Sequence, residues 1–150
     1  MKKIILFLAI FTIGINGKHV KSNDHAEIVW ETEKIFELPE SVIYDSKNDV
    51  LYVSNITDHP FNKDGTGYIS KIGLDGNVIE KKWVDKLNAP KGLTISNDKL
   101  YIADVDELVE VDIATAKVTN KYTGYGSVCM NDVTADKYGN TADASVGITL

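Results

Sequence analysis

Short apolar runs, broken by clusters of Asn, Asp, Gly, Ser and Thr, follow one another from residue 28 onward. Leu93 and Ile95 alternate with polar neighbours, and Leu108-Val109-Glu110-Val111-Asp112-Ile113 alternates along its whole length. A period of two is the signature of a half-buried strand. Tyr68-Ile69-Ser70-Lys71-Ile72, residues 78–83 and residues 117–123 predict further strands. Leu74-Asp75-Gly76-Asn77 and Ala114-Thr115-Ala116 predict the turns between them.

The strands come in repeating groups. Residues 38–55 and 87–104 align with Pro39 on Pro90, Glu40 on Lys91 and Val42 on Leu93. The same alignment puts Leu51-Tyr52-Val53-Ser54-Asn55 on Leu100-Tyr101-Ile102-Ala103-Asp104. A third group opens at Met130-Asn131-Asp132-Val133-Thr134-Ala135-Asp136. Val42 and Leu93 are 51 residues apart, and Leu93 and Val133 are 40 apart. Short strands recurring at such periods predict an all-β β-propeller, with blade 1 over about 38–86, blade 2 over 87–128 and an incomplete blade 3 over 129–150. In the third group Ala142-Asp143 falls on Ala103-Asp104, which leaves that strand about two residues short. Residues 28–36 read as strand material ahead of the first group, of the kind that completes the last blade of a closed ring.

Lys2-Lys3 and the apolar run 4–13 have the charged and hydrophobic parts of a secretory signal, assigned to 1–17, with 18–27 as a linker. The run is well short of the roughly 20 residues of a spanning helix, so no stable membrane insertion is expected after its removal. The protein is therefore expected to be exported, periplasmic or secreted. Taking away 17 of the 150 residues leaves room for about two and a half to three four-stranded blades. The expected object is a fragment of a larger propeller, with self-association through exposed blade edges. A short chain that assembles several copies into one ring is the rival.

Net charge is −6, or −8 without Lys2 and Lys3, and every basic residue is Lys. An acidic chain with no Arg lacks the planar fork that grips phosphate, which argues against nucleic acid. Cys129 has no partner for a disulfide and reads as a small buried hydrophobe. His19 and His25 read as parts of a solvated tail. The loop between Ile56 and Gly67 carries Asp58, Asn62 and Asp64, but Pro60 stands where a calcium loop needs an acidic ligand. Loops of this length on one face of a propeller are frequently part of a binding surface.

Glu40, Lys91 and Asn131 occupy the same place in three successive groups, just ahead of each innermost strand. Around a common axis such positions form a polar ring at the mouth of a channel. The alternative is that they cap turns. Pro39-Glu40-Ser41, Tyr44-Asp45, Leu51-Tyr52-Val53-Ser54-Asn55, Gly67-Tyr68-Ile69-Ser70-Lys71, Leu74-Asp75-Gly76, Leu87-Asn88-Ala89-Pro90-Lys91-Gly92-Leu93 and Asn131-Asp132-Val133-Thr134-Ala135-Asp136 together resemble a known family. It is the senescence-marker protein, gluconolactonase and luciferin-regenerating enzyme family, and the likeness covers Trp30 to Asn140. The resemblance implies six blades and hydrolysis of a sugar lactone with one divalent cation, calcium first, with magnesium, zinc or manganese as alternatives. It implies that Glu40 is a metal ligand and that Asn131 and Asp132 contact a lactone or sugar-derived ligand. Lys91 departs from the pattern and is assigned to the ligand rather than the metal. The family's remaining metal ligands come from later blades, so this stretch alone is expected to be inactive. The alternative is a non-catalytic exported propeller that binds a small ligand or protein at the channel mouth.

Overall fold

A computed structural model describes residues 5–8, 27–123 and 129–145. The protein is all-β, with no helix among the described residues. β1 (Ile5–Leu8) pairs antiparallel with β2 (Glu27–Glu31). A four-stranded sheet follows: β3 (Leu38–Asp45), β4 (Val50–Ile56), β5 (Gly67–Gly73) and β6 (Val78–Leu87). The second sheet is β7 (Pro90–Ser96), β8 (Lys99–Asp104), β9 (Glu107–Asp112) and β10 (Lys117–Thr123). β11 (Met130–Ala135) and β12 (Thr141–Ser145) form a third, two-stranded sheet. Each four-stranded sheet is an antiparallel meander with its strands in chain order.

The turns follow from residue chemistry. Asp45 Oδ1 accepts the N–H groups of Lys47 and Asn48, at 3.0 and 3.2 Å. Asp136, at the same place in the third group, accepts those of Tyr138 and Asn140, at 2.8 and 2.9 Å. These carboxylates mimic a backbone turn. In the second group the short turn is made by Asn97 and Asp98, both at positive φ, a conformation that Asn and Asp tolerate. The predicted turn at 74–77 closes with Gly73 N–H on Asn77 O at 2.9 Å, and Gly76 has φ +83°.

The first two sheets stack face to face. Tyr52, Ile69, Trp83, Val84 and Leu87 of the first meet Leu93, Leu100, Ile102, Val109 and Val111 of the second. Tyr52 and Trp83 stack with ring centroids 4.4 Å apart. The opposite face of the first sheet (Leu51, Val53, Ile72) is covered by Phe36, with Trp30 and Ile35 beside it. The segment read as strand material ahead of the repeats thus caps this face, and its strand β2 pairs with β1. The remaining residues of the expected signal and linker, with His19 and His25, lie outside the described residues. Cys129 is buried, as expected.

The Tyr52 hydroxyl is buried with no hydrogen-bond partner among the described residues. Removing an unpaired polar atom is nearly neutral or favourable, while truncating a large ring leaves a cavity. Tyr52→Phe is expected to match or exceed the wild-type urea midpoint, and Tyr52→Ala to lose about 4 kcal/mol. A Phe variant as damaged as the Ala variant would refute the packing account.

One expectation needs correcting. Met130 pairs with Ser145 as Pro90 pairs with Asp104, so Ala144-Ser145, and not Ala142-Asp143, are the equivalents of Ala103-Asp104. No strand residues are missing. The Asp136 turn sets the register of this hairpin.

Candidate functional site

The first strands of the three sheets, β3, β7 and β11, begin with the same irregularity. Between the pairs Pro39↔Asn55 and Val42↔Val53, Glu40 and Ser41 face Ser54 alone. Between Pro90↔Asp104 and Leu93↔Ile102, Lys91 and Gly92 face Ala103 alone. Between Met130↔Ser145 and Asp132↔Ala144, Asn131 stands without a partner. Each is a β-bulge, a device that bends a strand and re-aims a side chain. In the first sheet Ser54 holds the bulge, its Oγ accepting the Ser41 N–H at 3.0 Å and donating to Ser41 O at 3.4 Å.

β7 lies between β3 and β11 and contacts both. The approach of β11 is very close: a Cβ on Gly92 would come within 2.7 Å of Asn131 O and of the Asp132 Cα. The residues singled out from sequence therefore gather at one end of three neighbouring strands. Glu40 is open to solvent on one side. Burial of the other side pushes its carboxyl above the ordinary value, the Asp132 carboxylate pushes the same way, and the Lys91 ammonium opposes them. Asn131 Nδ2 donates to Asp132 Oδ2 at 3.2 Å.

Lys91 occupies a different environment from its counterparts, being only 3% exposed. Its Nζ donates to Ala89 O at 3.0 Å. The N–H of Ala89 in turn is held by Asp104 Oδ1 at 2.7 Å, and Asn88 N–H reaches both oxygens of Asp104, at 3.1 and 2.9 Å. Sequence reasoning did not single out Asp104. Its only signal was its place at the end of the Tyr101-Ile102-Ala103-Asp104 strand, where the first group has Asn55. Asn55, also fully buried, donates Nδ2 to Val53 O and Ser70 Oγ, each at 3.0 Å.

The loop after β4 lies at this same end, since Leu38 pairs with Ile56. Its carboxylates are used internally: Asp58 Oδ2 accepts from Asn62 Nδ2 at 2.9 Å, and Asp64 Oδ1 from Thr66 N–H at 2.9 Å. Thr57 and Thr66 hydroxyls meet at its neck, and Lys63 pairs with Asp106 of the second group at 2.5 Å.

A divalent cation asks for four N, O or S ligands if zinc and six to eight oxygens if calcium. The cluster at the bulges supplies two carboxylates and an amide, with an ammonium among them. Among the described residues no group of three His, Cys, Asp or Glu is placed to hold a metal ion. The donor set present does not fit such an ion by itself.

No family model and no curated protein matches the sequence. Among solved structures the chain is similar to the computationally designed Ika4 protein, with a TM-score of 0.47 and 13% identity over 81% of this chain and 74% of that one. It is also similar to a chain of a nidogen/laminin complex, with a TM-score of 0.36 and 13% identity over 69% of this chain and 55% of that one.

Proposed function

We propose that the sheets are successive blades of a β-propeller and that the three bulges line the mouth of its channel, where a small neutral polyhydroxylated ligand, a sugar or its lactone, binds. The observation that carries this reading is the placement of Glu40, Lys91 and Asn131-Asp132 at the starts of three neighbouring strands, near enough for the charges of Asp132 and Lys91 to act on the Glu40 carboxyl. Carboxylates accept from ligand hydroxyls, while Lys91 and Asn131 offer donors to a carbonyl or ring oxygen. Two carboxylates against one ammonium leave the rim net negative, which disfavours an anionic ligand. The loop held by Lys63 and Asp106 starts at the same end.

The test is a thermal-shift titration of the full chain with glucono-1,5-lactone, glucose and gluconate. The expected result is a saturable rise in midpoint with the neutral compounds and not with gluconate, lost when Glu40 and Asn131 are both replaced by Ala. If none of the three shifts the midpoint, the reading fails.

A second reading, metal-dependent lactone hydrolysis, is supported by the match of Glu40 to the metal ligand of the gluconolactonase-like family. It would require further ligands from outside the cluster. Calcium-dependent turnover of the lactone, lost in Glu40→Ala, would favour it. The ammonium beside Glu40 favours binding without metal.

A further inference from the structure

We propose that Lys91 is a built-in counter-cation, occupying the charge-balancing role of a metal at the rim and leaving two N–H donors for a ligand oxygen. A lysine this deeply buried is rare unless its charge is compensated. Among the described residues no carboxylate lies within ion-pairing distance of it, and Ala89 O is its one hydrogen-bond acceptor. An ammonium has three N–H donors, so two remain unused by the described residues. Those donors are available to a water or to a ligand oxygen at the rim.

The surroundings fix where that charge sits. Ala89 is held on both sides, its N–H by Asp104 and its carbonyl by Lys91, so the buried carboxylate and the ammonium are joined through the main chain of one residue. Gly92, the next residue, lets the backbone of Asn131 and Asp132 come against β7. The ammonium is thereby held in the middle strand, with Glu40 on one neighbour and Asp132 on the other. A divalent ion placed among these exposed carboxylates would be repelled by the fixed positive charge of the buried ammonium beside them. Replacing Lys91 by a neutral residue removes that charge and leaves an all-oxygen set from Glu40, Asp132 and the Asn131 carbonyl oxygen, suited to a hard cation.

The experiment is calorimetric titration of the full chain with calcium chloride and, separately, terbium chloride, without any sugar. In the wild type, Glu40→Gln is expected to leave cation affinity unchanged, with no saturable site below about 1 mM, the weak end for extracellular calcium modules. Lys91→Gln and Lys91→Met are expected to gain affinity by about tenfold or more, and Glu40→Gln in the Lys91→Gln background to remove the gain. A saturable wild-type site lost in Glu40→Gln overturns the proposal, as does an unchanged affinity in both folded Lys91 variants. Should neither Lys91 variant fold, the wild-type and Glu40→Gln comparison decides alone. The location of the rim is shared with the ligand reading above, but this titration involves no sugar, so the two fail separately.

Discussion

Replacing Asp104 by Ala is expected to lower the unfolding free energy by about 3 kcal/mol, the scale of a buried charged acceptor lost with its donors left behind. Asp104 is fully buried and receives the N–H groups of Asn88 and Ala89. With Ala there, the Ala89 N–H is orphaned, and the ammonium of Lys91 loses a nearby negative charge. Asp104→Asn keeps an oxygen for the two donors and is expected to cost about 1 kcal/mol.

The pair of variants also carries a pH signature. Burial holds the Asp104 carboxyl above its ordinary value of 3.8, although the two backbone donors and the Lys121 and Lys91 ammonium groups pull it down. The folded protein therefore binds this proton more tightly than the unfolded chain. Its contribution to stability is full below about pH 4 and is lost as the pH rises through the folded pKa. Asparagine has no such slope. Measured by urea unfolding, the deficit of Asp104→Asn against the wild type should be larger at about pH 4 than at about pH 7. Equal deficits at both would show that burial does not govern this group.

Gly92→Ala is the other large effect. A Cβ there meets only backbone, at 2.7 Å from Asn131 O, 2.7 Å from Asp132 Cα and 3.1 Å from Val133 N, so β11 must move away from β7. Overpacking of this kind costs about 1–3 kcal/mol. The loss should be local: amide exchange in β11 and β12 accelerates by about 5- to 150-fold, while β4, β5 and β8 keep their protection. Gly65→Ala is the control, since its Cβ would touch nothing within 4 Å and only its φ of +69° is strained. Uniform loss of protection throughout the molecule would mean that Gly92 is not the contact that seats the third sheet.

The strands were legible because alternation and turn residues agree. The run 108–113 and the Asp75-Gly76 turn point the same way, and β9 and β10 flank a turn where one was expected. The alignment of Glu40, Lys91 and Asn131 was legible because a repeat gives equivalent residues equivalent places. Their surroundings were not. β7 has the first strand of another sheet on either side (β3 and β11), whereas β3 has only β7 among such strands described, so one aligned residue is buried and the other faces water. The bulges escaped notice because a bulge is a property of two strands; Ser41 and Ser54, which hold the first, are 13 residues apart. The register of β12 was misjudged because Thr141-Ala142-Asp143-Ala144-Ser145 contains no large apolar residue to set its phase.

The extra residue at the start of β3, β7 and β11 has a consequence for how such a molecule changes over time. A kinked position outside the ladder can exchange an acid for a base or an amide while the hydrophobic contacts downstream stay in step. The chemistry of these three positions and the solidity of the interior are thereby uncoupled, and their side chains can be exchanged without disturbing the core.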